Sequence, residues 1–215
     1  MTYCGTHKVA SKVVNILAEI ATTNDQRVIN SLVNEHGLIQ KLYMIVHTVT
    51  TKEVLAEVMF TLCNLVADSR PVADQVIMNA DLVSEISDCM QHTSQHLRKE
   101  ATLTACVLLF TADITLVMER CMKNKTILEN IFQTCEDLRQ KLPMVAEMTD
   151  LVKRLCQTDL EMKLTGELSF KFLIEIAGGR DLLEKLSDHP DLKTRTECQK
   201  IVHFYFGNQP QVAAA

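Results

Sequence analysis

Residues 50–69, TTKEVLAEVMFTLCNLVADS, carry two stripes at helical spacing. One stripe is apolar and predicts the buried face of an amphipathic helix: Leu55, Val58, Met59, Leu62 and Val66. The other stripe holds an acid, an aromatic ring, a hydroxyl and an amide: Glu57, Phe60, Thr61 and Asn64. An ordinary surface helix carries solvated charges on that face, so this stripe predicts a surface that touches a partner. Thr50 and Glu53 have the spacing of a capping box, which predicts where the helix begins.

The composition favours a helical protein with a substantial core. The chain has 215 residues, of which 47% are hydrophobic, and it contains only six Gly and four Pro to interrupt helices. Its net charge of -5 argues against nucleic acid or an acidic membrane as the main partner. The sequence shows neither a run of membrane-span length nor a secretory signal, so we expect a location in the cytoplasm and nucleus, with the eight cysteines reduced.

An apolar pattern that begins at Leu38 returns three more times, and the third interval between occurrences is longer than the first two. The four occurrences comprise Leu38, Ile39 and Leu42, then Leu82, Val83 and Ile86, then Ile127, Leu128 and Ile131, then Leu182, Leu183 and Leu186. The pattern of the 50–69 helix also recurs, because Leu62 to Val66 has a counterpart in Ala105 to Leu109. A period of roughly 40 residues is typical of helical repeat proteins, whose units bury their apolar faces by stacking.

These repeats predict an all-α, armadillo/HEAT-type right-handed superhelical solenoid of about four to five repeats. The last helix of each unit is predicted to line a concave surface. Residues 1–212 then form a single armadillo-repeat domain, and the three alanines at 213–215 are a tail. Two further long helices are predicted at Met144–Gln157 and Thr194–Phe206. The longest interval between repeats predicts an inserted loop or an extended helix end around Glu136–Pro143.

Three stretches resemble the importin-α family of nuclear-transport adaptors. LRKEATLTACVLLF, residues 97–110, is similar to the family's lining helix, and VLAEVMFTLCNLVADS, residues 54–69, is similar to the same helix one repeat earlier. IEIAGGRDLLEKLSDHPDLKTRTECQKIVHFYF, residues 174–206, resembles the end of the family's last repeat. The resemblance covers nearly the whole chain and matches the second half of an importin-α. It implies a protein-interaction scaffold that works as a transport adaptor.

The resemblance also implies which residues would hold a bound peptide. In the family, a Trp makes a slot for a lysine stem, an acid meets the ammonium, and an Asn holds the peptide backbone. Two consecutive lining helices supply residues at these places: Glu57, Phe60 and Asn64 in one, and Glu100, Leu103 and Val107 in the next. The chain has no Trp, and Val107 cannot replace the Asn, which removes a contact worth about 1 kcal/mol. The row of peptide-binding residues along the lining helices is therefore expected to be degenerate.

The candidate binding surface combines both helices: Glu57, Phe60, Thr61, Asn64, Glu100, Leu103 and Val107. Its partner is expected to be a protein or peptide in the concave groove, either a basic signal peptide or an amphipathic helix. The resemblance adds a contact with the family's export receptor through Ile174 to Phe206. One alternative is a divergent armadillo module that docks a helix or peptide of a dedicated, non-transport partner. Another is that Phe60 packs against a neighbouring repeat and touches no ligand.

The sequence motifs disfavour a catalytic or metal-binding function. Cys89, His92 and His96 have a spacing that could suit a metal, as do Cys198 and His203, but neither set has the second cysteine pair of a zinc finger. No phosphate-binding loop, nucleophile elbow or dinucleotide fingerprint occurs. We therefore expect no enzymatic activity and no cofactor.

Overall fold

The computed structural model describes residues 4–23, 25–67 and 69–207, so the tail predicted at 213–215 lies outside the described residues. Every regular element in these ranges is helical, and thirteen of these elements are α-helices. No strand occurs in the described residues. The predicted all-α class is therefore confirmed.

The helices form one leading helix and four three-helix units. The leading helix is α1 (Cys4–Ala21). The first unit contains α2 (Gln26–Asn30), which continues as a π-helical turn (Ser31–Glu35), followed by α3 (Leu38–Thr48) and α4 (Lys52–Ala67). The second unit contains α5 (Arg70–Met78), α6 (Ala80–Cys89) and α7 (Gln95–Thr111). The third contains α8 (Ile114–Lys123), α9 (Thr126–Asp137) and α10 (Leu142–Met162).

The fourth unit closes the described chain. A 3-10 turn (Gly166–Leu168) leads into α11 (Phe170–Ile176), α12 (Gly179–Leu186) and α13 (Leu192–Ile201), which continues as a π-helical turn (Val202–Phe206). Four complete units and a leading helix agree with the predicted four to five repeats.

The third helices of successive units lie side by side. α1 packs on α4, α4 on α7, α7 on α10 and α10 on α13. We call these five helices the lining helices, because the third helix of each unit is the one predicted to line the concave surface. The second helices carry the recurring apolar pattern, whose twelve residues are all buried, with Ile39 the most exposed at 7%. One continuous core therefore runs along the stack.

Side chains from one unit complete the hydrogen bonds of the unit before it. Arg120 on α8 donates through Nη2 to the carbonyl of Ile77 at 2.7 Å, near the end of α5. Arg154 on α10 donates to Leu109 and Ala112 at 2.6 and 2.8 Å, at the end of α7. These cations satisfy carbonyls that a helix terminus leaves without partners and oppose its negative dipole end. The arginines thereby fix the spacing of neighbouring units.

Two local predictions from the sequence are wrong. The helix α4 begins at Lys52, so Thr51, and not Thr50, directly precedes it. The second wrong prediction is the position of the extra residues in the last repeat interval. They do not lie at Glu136–Pro143, between α9 and α10, because the starts of α9 and α10 are nearly as far apart along the chain as the starts of α6 and α7. In contrast, the starts of α10 and α11 are much farther apart along the chain than those of α7 and α8. The extra length is a longer α10, with 21 residues against 17 in α7, and the 3-10 segment that follows it.

Glycines mark two tight connections within this architecture. Gly37 precedes α3 with a φ of 60°, and Gly178 precedes α12 with a φ of 80°, a left-handed region that side chains disfavour. A Cβ atom added at Gly179 would lie 2.6 Å from the Phe132 ring, so a larger residue would push α12 away from α9. None of the helices in the described residues is both long and apolar enough to cross a bilayer.

Candidate functional site

The lining helix α4 presents a face of mixed chemistry away from the core. Phe60 is 39% exposed, whereas Leu62 on the opposite face is fully buried. Glu57 and Asn64 lie one turn before and one turn after Phe60 and are partly exposed. Phe60 therefore does not pack inside the core, and the three residues that the resemblance assigned to a peptide slot share one open surface.

Asn64, next to this surface, has a buried hydrogen-bonding group without a partner in the described part of the chain. Its Nδ2 atom is buried, and no acceptor among the described residues bonds to it. A buried polar group without a partner costs about 1–3 kcal/mol, and such groups are rare in folded proteins. The amide nitrogen is a hydrogen-bond donor, so a ligand carbonyl that reached Asn64 could accept its hydrogen bond.

Thr61, which was predicted to belong to the same surface, does not reach it. The side chain is fully buried, and its hydroxyl donates to the carbonyl of Glu57 in the same helix at 2.7 Å. One residue along a helix corresponds to a rotation of about 100°, so Thr61 points to the side of α4 when Phe60 points outward. Thr61 therefore has no exposed surface that a partner could contact, and it does not belong to the candidate site.

The next lining helix, α7, has a different character at the same positions. Glu100 is only 6% exposed, and its carboxylate accepts a hydrogen bond from Lys99 Nζ at 2.7 Å, with His96 Nδ1 3.7 Å away. Its charge is therefore already balanced within the chain. Leu103 and Val107 are partly exposed and pack at the edge of the core. This stretch of the groove is apolar.

The next lining helix, α10, carries an exposed acid, Glu147, that the predicted site does not include. Burial and the nearby charge of Asp150 raise the pKa of Glu147. Glu147 lies on α10, which packs on α7, and its charge is a minor cause of the raised pKa of the Cys63 and Cys106 thiols, after burial. Glu147 follows Leu103 by one repeat interval, so it could have been identified from the sequence by adding that interval to the position of Leu103.

A second aromatic slot lies near the end of α7 and was also missed. Phe110 is 45% exposed, and the guanidinium of Arg154 lies 5.6 Å from the centre of its ring. Together with Ile114 and Gln157 they border a cavity of about 560 Å³. Phe110 lies two helical turns beyond Leu103 and so falls on the same face of α7. An aromatic residue two helical turns after Leu103 is therefore the sequence feature that could have predicted this slot.

The region predicted for an export-receptor contact, Ile174 to Phe206, forms α11 to α13 and the end of the described chain. Its aromatic residues border a cavity of about 530 Å³ beside the end of α10. Phe204 is 57% exposed, and Lys171 Nζ lies 5.7 Å from the centre of the Phe206 ring. The surface offers apolar and cationic contacts, and the receptor contact itself stays a prediction.

The cysteine and histidine pairs considered as metal ligands do not assemble into a site. The described residues contain no group of three or more His, Cys, Asp or Glu side chains that could hold a metal ion. Cys89 and Cys198 are both buried. Burial raises the pKa of the Cys89 thiol to about 12, and it raises that of Cys63 equally, so both are protonated at neutral pH.

Comparison with known proteins places the architecture among armadillo-repeat structures. A designed armadillo-repeat protein, solved in complex with the peptide (KR)4, is 17% identical with a TM-score of 0.52, covering 89% of this chain and 91% of its own. A computationally designed armadillo-repeat protein for modular peptide recognition is 16% identical with a TM-score of 0.51, covering 94% of each chain. An engineered protein is 16% identical with a TM-score of 0.57, covering 91% of each.

At these identities the likeness shows the fold alone. No protein-family model matches the chain, and no curated protein matches it. The predicted armadillo solenoid is confirmed at the level of architecture. The chain thus has an armadillo-type helical repeat fold, and its lining helices carry one mixed slot on α4 and an apolar stretch on α7.

Proposed function

We propose that the protein is an interaction scaffold whose groove binds an amphipathic segment of a partner protein. The observation that carries the proposal is the 39% exposure of Phe60 beside the partly exposed Leu103 and Val107. Lining helices of neighbouring units lie about 10 Å apart, so these side chains form one apolar strip across α4 and α7. An apolar strip bordered by polar groups is the usual form of a site for a partner helix or strand.

The charges beside the strip suit basic residues in the bound segment. Glu57 lies one turn before Phe60 on α4, and Glu147 is exposed on α10, which packs on α7. Glu100 contributes little, because Lys99 already balances it. The segment that fits best therefore places apolar side chains on Phe60, Leu103 and Val107 and carries lysine or arginine at its edges.

Solved structures of this fold support a peptide ligand. One armadillo-repeat neighbour was solved with a (KR)4 peptide, and another was designed for modular peptide recognition. Those proteins bind peptides by their own sequences, so for this chain the class of ligand is part of the proposal. The sequence also contains no recognised catalytic motif, which accords with a binding role.

A narrower form of the proposal is the nuclear-transport adaptor that the importin-α resemblance implies. In that form the same groove would take a lysine-rich signal through Glu57, Phe60 and Asn64, in the cytoplasm and nucleus, and α11 to α13 would contact an export receptor. Only the α4 slot supports a lysine side chain, since α7 has Leu103 and Val107 at the corresponding places. The apolar strip favours the broader form.

Two labelled peptides separate these forms by fluorescence anisotropy. One is amphipathic, with leucines at i, i+3, i+4 and i+7 and lysines between them, and the other is lysine-rich without large apolar residues. We expect saturable binding of the amphipathic peptide that the double variant Phe60→Ala, Leu103→Ala abolishes. Met44→Ala is the matched control, because Met44 is 57% exposed on α3, outside the groove.

The outcomes are distinct. Tighter binding of the lysine-rich peptide, lost in Glu57→Ala with Asn64→Ala, would establish the transport form. If neither peptide binds, or if the groove variant and the Met44→Ala control weaken binding equally, the groove proposal is wrong.

A further inference from the structure

The ion pair between Lys99 and Glu100 joins two consecutive residues of the lining helix α7. Lys99 Nζ donates a hydrogen bond to Glu100 Oε1 at 2.7 Å. Consecutive side chains on a helix point about 100° apart and do not ordinarily face each other. The Lys99 stem must therefore bend around the helix for its ammonium to reach the carboxylate.

The face of α7 that the proposed function assigns to the ligand lies between these two residues. His96 is exposed and Leu103 is partly exposed, one turn before and one turn after the pair. At about 100° per residue, both lie within about 10° of the direction midway between Lys99 and Glu100. The ammonium therefore reaches Glu100 across the groove face, where a cation of a bound segment would approach.

Glu100 is nearly enclosed, and its partners share one carboxylate oxygen. Its side chain is 8% exposed, whereas that of Lys99 is 34% exposed. Lys99 Nζ and His96 Nδ1 both approach Oε1, at 2.7 and 3.7 Å. The other oxygen, Oε2, accepts no hydrogen bond from the residues that the structure describes. Removal of the cation beside an enclosed carboxylate is costly, so Glu100 needs a positive partner, and Lys99 supplies it from the same chain.

The preceding lining helix, α4, differs at this point. One repeat earlier, the places of Lys99 and Glu100 are taken by Ala56 and Glu57. Ala56 is buried and carries no charge, and Glu57 forms no ion pair within the described part of the chain. The helix α4 therefore presents an open acid, whereas α7 presents an acid that its own lysine occupies.

We propose that Lys99 is an internal competitor that determines how well the groove accepts a basic residue. This role rests on the proposed function, in which a segment with apolar and basic side chains lies across α4 and α7. While Lys99 holds Glu100, the stretch of groove on α7 selects apolar side chains. A lysine or arginine of the segment pairs with Glu100 only by displacing the Lys99 ammonium into solvent, so one cation replaces another and the affinity gains little. Removal of the Lys99 charge should convert this stretch into a cation slot.

Peptide binding at about pH 8, where carboxylates are ionised, tests the role of Lys99. Fluorescence anisotropy compares the lysine-containing amphipathic peptide with a copy in which glutamine replaces each lysine. Lys99→Met should bind the lysine peptide about three- to tenfold more tightly than wild type at low salt, because a peptide cation then meets an unpaired carboxylate. The glutamine peptide should show no such gain. Lys123→Met is the matched control, since it removes an equal charge from an exposed pair with Glu119 on α8, and it should bind both peptides like wild type.

Three further variants assign the gain to Glu100. Lys99→Met combined with Glu100→Gln should lose the gain, and Lys99→Arg, which keeps the cation, should bind like wild type. Lys99→Gln removes the charge but keeps a hydrogen-bond donor for Glu100, so it replaces Lys99→Met if circular dichroism shows that the methionine variant is unfolded.

The outcomes separate this role of Lys99 from the groove proposal. Equal affinity of Lys99→Met and wild type for the lysine peptide would overturn the role of Lys99 and leave the groove proposal intact. An equal gain in Lys123→Met, or a gain that persists with Glu100→Gln, would also overturn it. Absence of binding by wild type and by every variant would reject the groove proposal, and the role of Lys99 with it.

Discussion

The lining helices α4 and α7 occupy equivalent places in consecutive units, yet they present different chemistry at the same three positions. On α4 a partly exposed acid and an exposed aromatic ring face outward, and the Asn64 amide nitrogen is buried without a partner among the residues that the structure describes. On α7 the acid is buried and paired with Lys99, and the other two positions are aliphatic. The backbone and the core are shared, so the repeat fixes where a ligand can lie, and individual side chains determine what it can be.

Truncation of the aromatic ring should separate the two helices most clearly. Phe60→Ala is expected to weaken binding of the amphipathic peptide by about 2 kcal/mol, close to thirtyfold, because the ring is the largest apolar group in the strip. Leu103→Ala should cost about 1 kcal/mol, since Leu103 is already partly covered by the core. Titration by fluorescence anisotropy gives both values. Equal losses for the two variants would show that α4 has no special role.

Two buried threonines, at equivalent positions of α4 and α7, should contribute differently to the free energy of unfolding. The Thr104 hydroxyl lies 2.8 Å from the carbonyl of Met59, across the contact between α7 and α4, and 2.8 Å from the carbonyl of Glu100 in its own helix. Thr61 donates only to Glu57 in its own helix. Thr104→Val should lower the free energy of unfolding by about 1 kcal/mol, and Thr61→Val by about half of that or less. Urea denaturation monitored by circular dichroism measures both, and a larger loss for Thr61→Val would contradict this explanation.

Removal of the acids should reveal which charge is available to a ligand. Glu57→Gln is expected to weaken binding of the lysine-containing amphipathic peptide by about 0.5–1 kcal/mol at low salt, as for other exposed ion pairs. Glu100→Gln should change it less, because the Lys99 ammonium already neutralises Glu100. Glu129→Gln, an exposed acid on the second helix α9, is the matched control. A salt titration should abolish the Glu57 effect, and an effect that persists at high salt would exclude the ion pair.

The smallest effect concerns Glu147 and pH. Its folded-state pKa is raised above the ordinary value of 4.5, so its contribution to stability is fully present below about pH 4.5. That contribution is lost as the pH rises through the folded pKa, because the charged carboxylate is partly desolvated and lies near Asp150. Glu147→Gln should therefore remove this decline in the free energy of unfolding. Parallel pH profiles for the variant and wild type would contradict it.

Much of the fold was predictable from the sequence because it depends on periodicity. The apolar pattern of the second helices fixes the core residues, and each of its twelve members is buried. Helix ends were harder to predict, since residues with capping chemistry are common near α4 and only one can directly precede its first residue. The extra length of α10 was missed because Pro143 suggested a break, and Pro is tolerated in the first turn of a helix.

The candidate site was only partly predictable. Phe60 could be placed by its spacing, whereas the burial of Thr61 depends on a rotation of one residue around α4. The neutralisation of Glu100 by Lys99 requires the conformation of a long side chain, which no spacing rule supplies. Glu147 lies one repeat interval after Leu103, and Phe110 lies two helical turns after it, so both could be found only by applying these offsets to side chains outside the recognised motif.

Methyl NMR on the amphipathic peptide complex tests the central claim most directly. The labelled methyl groups of Leu103 and Val107, which border the strip, and of Leu192 and Val28, which are exposed on α13 and α2, report on separate surfaces. We predict that titration of the peptide shifts the Leu103 and Val107 signals and leaves those of Leu192 and Val28 unchanged, with the shifts lost in Phe60→Ala. Shifts at Leu192 or Val28 with none at Leu103 and Val107 would show that the groove across α4 and α7 is not the binding surface.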